Sequence, residues 1–176
     1  MRLMLALAIA LAAPAAAQPD VVLDLPAEAR AEQRGLFIGI VTTADFEAFG
    51  RAWIEGGAQL RSAVTQRAVR GHDLVTVILF QDCRPAADGK CNLTGRFTYL
   101  RPDGSEYGAL DQDVWTEAPN SRGGVMVAFG PSLNVDPPDP MGRWTLRAEI
   151  RDNVRGVTVT VRTPILVDTP AAAASR

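Results

Sequence analysis

The stretch RWTLRAEIRDNVRGVTVTVR, residues 143–162, decides the fold class. Apolar and polar residues alternate over residues 143–151 and again over residues 157–162. A period of two predicts β-strands that have one buried face and one solvated face. The intervening residues 152–156, DNVRG, have the composition of a turn. The stretch therefore predicts an antiparallel β-hairpin.

Further segments of strand length occur on the N-terminal side of this hairpin. The nearly continuous apolar run LVTVILF, residues 74–80, predicts a central strand that is covered on both faces. Phe97 and Tyr99 alternate with polar residues in a strand that ends at the turn PDGS, residues 102–105. Other predicted strands are 36–42 and 124–129, with weaker ones at 21–25 and 59–69. These elements together predict an all-β sandwich of about seven to nine strands.

One helix is predicted near residues 44–55. Phe46, Phe49 and Trp53 are spaced i, i+3 and i+7, so they would share one face of a helix. Thr42 or Thr43 could cap its start, Asp45 lies in the favourable first turn, and Gly56 would end the helix. We expect this short helix to pack on one end of the sandwich.

The N-terminus has the pattern of a secretory signal peptide over residues 1–17. Arg2 precedes an apolar run of about eleven residues, and the small residues of Ala15–Ala17 follow it. This run is well short of the roughly 20 residues that a membrane span needs. We therefore expect a soluble periplasmic or secreted protein. Its predicted parts are an extended lead-in at 18–35, a single β-sandwich domain at 36–168 and a disordered tail at 169–176.

The charge of the predicted mature chain is mild. Without residues 1–17 the chain has 17 basic and 20 acidic residues, a net charge near −3. Proteins that bind nucleic acid normally have a basic patch and a high isoelectric point. The composition therefore argues against a nucleic-acid partner.

Both cysteines lie in QDCRPAADGKCNLTG, residues 81–95. An exported chain with an even number of cysteines normally pairs them, which predicts a disulfide between Cys83 and Cys91. Closing so short a loop stabilises the fold by roughly 2–3 kcal/mol. A redox dithiol normally has the spacing C-x-x-C, and a zinc site needs four ligands, whereas this chain has two cysteines and one histidine.

No catalytic, cofactor or metal site is predicted. His72 is followed by Asp73, but adjacent residues of a strand point to opposite faces, so His72 is interpreted as a surface histidine. The acidic runs at 111–113 and 136–140 do not have the spacing of an EF-hand loop. A pair of carboxylates for glycoside hydrolysis depends on a separation in three dimensions, so this alternative stays open.

Aromatic and arginine side chains are the remaining candidates. Tyr107 and Trp115 could form a carbohydrate-binding surface, since aromatic rings stack on sugars. Arg147 and its neighbours Arg143 and Arg151 share the solvated face of one strand and could receive an anionic partner. Glu149 interrupts this positive surface, which favours an ordinary solvated face.

Two segments resemble known proteins. DPMGRWTLRAEIRD, residues 139–152, resembles the D-P-x-G-x-[YW]-x-hydrophobic pattern of the penultimate strand in bacterial immunoglobulin-like domains. The loop between Cys83 and Cys91, followed by RPDGSEY at 101–107 and then by Trp115, is similar to small exported proteobacterial proteins. The resemblance covers residues 73–167 and implies an immunoglobulin-like antiparallel β-sandwich. It implies no catalytic residues, and these cysteines are too close in sequence for the usual disulfide between two sheets.

The sequence therefore predicts a non-enzymatic exported interaction module with no cofactor, whose partner is another envelope protein or a cell-surface component. Loops at the ends of a sandwich normally carry recognition, here loops 81–92, 102–107 and 113–123. The alternatives are a carbohydrate-binding protein that uses exposed aromatic rings and a hydrolase based on carboxylates. The residues of the predicted partner surface are Arg84, Asp88, Lys90, Tyr107 and Trp115.

Overall fold

The computed structural model describes residues 25–55, 58–119 and 125–168. The predicted signal peptide at 1–17 and the predicted tail at 169–176 lie outside the described residues. Within the described ranges the chain forms nine strands and two α-helices, in an all-β fold of two sheets. The strands and helices are β1 (Arg30–Gln33), β2 (Leu36–Thr43), α1 (Phe46–Glu55), α2 (Ala58–Ala63), β3 (Arg67–Val69), β4 (Leu74–Gln81), β5 (Leu93–Leu100), β6 (Glu106–Trp115), β7 (Met126–Leu133), β8 (Gly142–Asp152) and β9 (Val157–Asp168).

The first sheet has the strand order β1-β2-β4-β7, and the second has the order β3-β9-β8-β5-β6. All pairs are antiparallel except β3 with β9, which is parallel. The second sheet curls into a half-barrel. The main hydrophobic core lies between the two sheets and includes the fully buried ring of Trp144. The expectation of an all-β protein is thus confirmed.

The hairpin of β8 and β9 was predicted correctly. Trp144 lies opposite Ile165 and Ile150 lies opposite Val159, so the apolar residues of both strands fill the core. The alternate residues of both strands face away from the core, on the outer face of the second sheet. This hairpin is the long central part of that sheet, and β5 pairs with β8 along its whole length.

Strand β4 is buried on both faces because a layer of helix covers the outer face of the first sheet. Val77 and Leu79 pack there against Phe49 of α1. The helix begins at Phe46, and its cap is Asp45, whereas the sequence predicted Thr42 or Thr43 as the cap: the Asp45 carboxylate accepts a hydrogen bond from the backbone N–H of Ala48 at 2.8 Å. The predicted short helix near residues 44–55 is therefore present as α1.

Two segments differ from the prediction. Residues 59–63 of the predicted weak strand 59–69 belong to α2, and only Arg67–Val69 form a strand. The helix is favoured because Leu60 is buried in the helix layer beside Phe49, a packing that no local pattern reveals. In the segment predicted as a lead-in, β1 pairs with β2 as an edge strand of the first sheet.

A polar contact joins the two sheets inside the core. The Tyr99 hydroxyl of the second sheet lies 3.0 Å from Thr76 Oγ1 and donates to the carbonyl of Pro131 at 3.1 Å. Because a carbonyl only accepts, the Thr76 hydroxyl must be the donor to Tyr99. Burial raises the pKa of Tyr99 to about 12.

No helix in the described part of the chain is both long and apolar enough to cross a lipid bilayer.

Candidate functional site

The disulfide between Cys83 and Cys91 is present, as predicted, with an S–S distance of 2.08 Å. It joins the end of β4 to the start of β5, and both cysteines are buried in the main core. The bond therefore closes the loop at its base and leaves residues 84–90 exposed at its tip.

The same loop is held by a buried carboxylate at the last residue of β8. Asp152 is 0 % exposed. Its Oδ2 accepts a hydrogen bond from the backbone N–H of Arg84 at 2.8 Å, and its Oδ1 accepts one from the backbone N–H of Arg155 at 2.8 Å. Each carboxylate oxygen thus satisfies a different backbone donor. This arrangement fixes the first exposed residue of the disulfide loop to the β8–β9 turn.

Arg155 joins three chain connections at this end of the molecule. Its guanidinium donates to the carbonyl of Arg34 in the β1–β2 turn and to the carbonyl of Asp82 at 2.5 Å. Its Nε lies 3.7 Å from Asp152 Oδ2. Both Arg34 and Asp82 have a positive φ, 50° and 61°, which non-glycine residues rarely adopt. Such strained residues cluster at functional sites when the surrounding structure holds them in place.

We call this region the disulfide end. It contains an open cavity of about 790 Å³ that includes three arginines. Among the described residues, no carboxylate lies within ion-pair distance of the Arg34 or Arg84 guanidinium. These two side chains are exposed and are available to a binding partner. The cavity is lined by Arg34, Gly35, Asp82, Cys83, Arg84, Pro85 and Arg155.

Three other residues of the predicted partner surface lie at this end. Asp88 accepts a hydrogen bond from the backbone N–H of Lys90 at 3.0 Å, and Lys90 Nζ lies 3.2 Å from Glu117 Oε2. Trp115 is half-buried against Phe80, with ring centroids 5.3 Å apart, and its indole N–H points to a backbone carbonyl at 3.4 Å. Trp115 therefore supports the base of the loop.

Tyr107 lies at the opposite end of the second sheet. It is separated from Trp115 by eight residues of the same strand, roughly 25 Å at about 3.3 Å per residue. Its ring packs edge-on against Trp144 at 5.0 Å, with the Arg101 guanidinium 4.8 Å above it. Burial raises the pKa of its hydroxyl. The structure brings Arg84, Asp88, Lys90 and Trp115 to one end of the sheet and leaves Tyr107 at the other.

His72 and Asp73 lie in an exposed turn. The backbone N–H of His72 donates to Val69, and the Asp73 carboxylate accepts from the Asn134 amide at 2.9 Å. Among the described residues, no ion pair joins Asp73 to the His72 imidazole. Within the described ranges, no group of three or more His, Cys, Asp or Glu side chains is placed to hold a metal ion.

Sequence reasoning missed a second cavity, on the outer face of the second sheet. This outer trough has a volume of about 640 Å³. Asp111 and Glu149 lie on either side of Arg96, on the strands that flank β5. The Arg96 guanidinium forms an ion pair with Asp111 at 2.8 Å. The alternation in β8 predicted a solvated face, but only the pairing of β6 with β5 brings Asp111 and Asp113 to it. The outer trough is lined by Thr94, Gly95, Arg96, Asp111, Gln112, Asp113, Glu149, Arg151 and Thr158.

No protein-family profile matches the chain, and no curated protein matches it. Among solved structures, it is similar to a family 123 glycoside hydrolase from Clostridium perfringens, described for glycolipid glycan hydrolysis. The match has 10% sequence identity and a TM-score of 0.40. It covers 76% of this chain and 28% of that one, so the chain spans less than a third of that protein's length.

Proposed function

We propose that this protein is an exported, non-enzymatic binding module that recognises its partner through the disulfide end. The observation that carries the proposal is the clamp of Asp152 and Arg155. A disulfide, a buried carboxylate and one guanidinium all fix the same loop. A loop ordered before binding loses little conformational entropy when it binds, which favours affinity.

The charges at this end favour an acidic partner. Arg34 and Arg84 line one cavity, are exposed, and have no ion-pair partner among the described residues. Arginine is well suited to carboxylates because its planar guanidinium donates two parallel hydrogen bonds. We therefore propose an acidic segment of another envelope protein as the partner.

Export and fold type form part of the same proposal. The pattern of residues 1–17 supports export, and a structural disulfide is typical of periplasmic and secreted proteins. We propose an immunoglobulin-like sandwich of the kind found in small exported proteobacterial proteins. The motif of residues 139–152, which ends with β8, and the antiparallel pairing of β8 with β9 and β5 support it.

The test is recovery of a partner from periplasmic extract by the tagged mature protein. The double substitution Arg34→Ala and Arg84→Ala removes the two exposed cations and leaves Asp152 and Arg155 in place. We expect this variant to recover at least about tenfold less partner, since each charge-assisted hydrogen bond contributes about 1.5–3 kcal/mol. The double substitution Arg61→Ala and Arg143→Ala, which removes the same two charges outside the lining of the disulfide end, is the matched control. Equal recovery by all three proteins would contradict the proposal.

A carboxylate-based hydrolase is the second candidate, because the outer trough gathers Asp111, Asp113 and Glu149. Asp111 and Glu149 are two strand spacings apart, about 10 Å, close to the separation used by inverting glycosidases. A general acid, however, is normally kept protonated by an apolar surrounding, whereas the Asp111 side chain is 70% exposed and pairs with Arg96. Hydrolysis of chromogenic glycosides by the wild type and its loss in Glu149→Gln would favour this candidate over binding alone.

The carbohydrate-binding alternative has weaker support. Tyr107 and Trp115 are at opposite ends of β6, so a single sugar cannot contact both rings. Each ring also packs against another aromatic side chain of the protein. Any sugar site on this chain would need a different pair of surfaces.

A further inference from the structure

The outer face of the second sheet contains a row of side chains that breaks two rules of stable packing. The row crosses four neighbouring strands in register, with Arg162 opposite Arg147, Arg147 opposite Thr98, and Thr98 opposite Ala109. We call it the arginine row. Like charges directly opposite each other on an antiparallel pair are destabilising. No carboxylate belongs to this row.

The row also contains two buried polar atoms without partners. Thr98 is 1% exposed, and neither its Oγ1 nor Arg147 Nε has a hydrogen-bond partner. In the described part of the chain only one other buried side-chain polar atom, Arg70 Nε, is in the same condition. Native proteins contain few such atoms. Two of them on directly paired residues of one row therefore require an explanation.

The neighbouring rows do not neutralise the arginines. Glu149 is two residues from Arg147 along β8, but it lies opposite Thr160 and Arg96. Arg96 itself pairs with Asp111. Asp111 and Glu149 thus belong to the outer trough, Asp168 of β9 pairs with Arg67, and the two arginines of the row remain without an ion-pair partner among the described residues.

We propose that the arginine row binds a phosphate or sulfate group of a ligand. Such a group would sit between the Arg147 and Arg162 guanidinium groups and would supply the acceptor that Arg147 Nε lacks. It would also accept the hydrogen bond that the Thr98 hydroxyl can donate. A tetrahedral oxyanion directs its oxygens out of a single plane, one towards each of these three donors, whereas the two oxygens of a carboxylate lie in one plane.

The site explains why the row keeps an arrangement that lowers the stability of the free protein. Local rules of packing are broken mainly at functional sites. Here the anion would remove both defects at once, by separating the like charges with a negative one and by completing the hydrogen bonds. Arg162 is exposed and Arg147 is half-buried, so the ligand would enter from the β9 side of the row. The site is separate from the disulfide end and does not depend on the function proposed there.

The test is a titration of the mature protein with inorganic phosphate and with sulfate at constant ionic strength, followed by NMR shifts of the backbone amides and by the melting temperature. We expect saturable shifts at residues 98, 147 and 162 and a rise in melting temperature. Arg162→Gln should weaken phosphate binding about tenfold or more, because it removes a charge-assisted contact. Arg143→Gln, on the same face of β8 but opposite Leu166, should bind as the wild type does.

Thr98→Val is the decisive variant. It replaces the hydroxyl by a methyl group of similar size, so it should weaken phosphate binding while the melting temperature stays the same or rises. A fall in melting temperature would mean that the hydroxyl is already satisfied in the free protein, and it would overturn the proposal. So would unsaturable shifts, or wild-type affinity in Arg162→Gln.

Two further ligands identify the chemistry and its source. Acetate should bind much more weakly than phosphate; equal binding would overturn the assignment to a tetrahedral oxyanion. Glycerol 2-phosphate tests for an esterified group. If glycerol 2-phosphate binds more tightly than inorganic phosphate, the result supports the site and identifies a phosphate ester as its ligand. If the two bind equally, the result supports the site and shows that the free ion is a sufficient ligand.

Discussion

Replacement of Asp152 by asparagine tests the clamp at the disulfide end. The substitution keeps the shape of the side chain but leaves one acceptor oxygen where the carboxylate has two. Both oxygens are used, one by the Arg84 N–H and one by the Arg155 N–H, in a position that is 0 % exposed. The amide nitrogen of asparagine would therefore face a backbone donor. One unsatisfied buried donor costs about 1–3 kcal/mol, and the lost charge also weakens the contact with Arg155 Nε at 3.7 Å.

We expect Asp152→Asn to lower the free energy of unfolding by about 2–3 kcal/mol in urea denaturation. Hydrogen exchange at the amides of Arg84 and Arg155 should become faster. Asp111→Asn is the matched control, because Asp111 is exposed in its pair with Arg96 and exposed pairs contribute at most about 1 kcal/mol. If Asp152→Asn changed the unfolding free energy no more than Asp111→Asn does, the two oxygens would not be holding the loop.

Three further predictions concern the core and the loop. Replacing both Cys83 and Cys91 by alanine should lower the unfolding free energy by about 2.5 kcal/mol, the chain-entropy value for a sequence separation of 8; an unchanged denaturation midpoint would contradict it. Because burial raises the pKa of Tyr99 to about 12 from its ordinary value of 10, the unfolded state ionises first as the pH rises. Stability that is complete below pH 10 should fall by up to about 3 kcal/mol towards pH 12, and Tyr99→Phe should lack this slope in alkaline melts. Gly95→Ala should destabilise the fold by about 1–3 kcal/mol, since an added Cβ would lie 2.7 Å from a core phenylalanine ring. Gly108→Ala on the adjacent strand, with nothing within 4 Å of the added Cβ, should not; equal melting temperatures for the two variants would refute the packing argument.

The elements that could be predicted from the sequence are those whose pattern is local. The β8–β9 hairpin follows from an alternation that depends only on neighbouring residues, and the central strand β4 follows from a nearly continuous apolar run. The disulfide could be predicted because only two cysteines exist. Helix α1 could be predicted because Phe46, Phe49 and Trp53 repeat at helical spacing, but its capping residue is Asp45 and not Thr42 or Thr43.

The missed features depend on contacts between residues that are far apart in sequence. Helix α2 forms where Leu60 can be buried against α1 and the first sheet, so its tertiary packing overrides a weak strand pattern. The clamp joins Arg155 to Arg34 across a sequence separation of 121 residues. The pairing of Arg147 with Arg162 requires the register of the hairpin, which a shift of one residue would abolish. A single sequence shows the residue types of these sites but not their neighbours.

The two candidate sites differ in how their polar groups are satisfied, and this difference has a measurable consequence. At the disulfide end, the carboxylate of Asp152 and the guanidinium of Arg155 are paired before any partner arrives. In the arginine row, Thr98 Oγ1 and Arg147 Nε have no partner in the free protein. A ligand at the row would therefore complete interactions within the sheet itself, in addition to making its own. Bound phosphate should slow hydrogen exchange along the pairs of β8 with β5 and β9, well beyond the residues it contacts. A partner at the preformed disulfide end should protect mainly the surface that it covers.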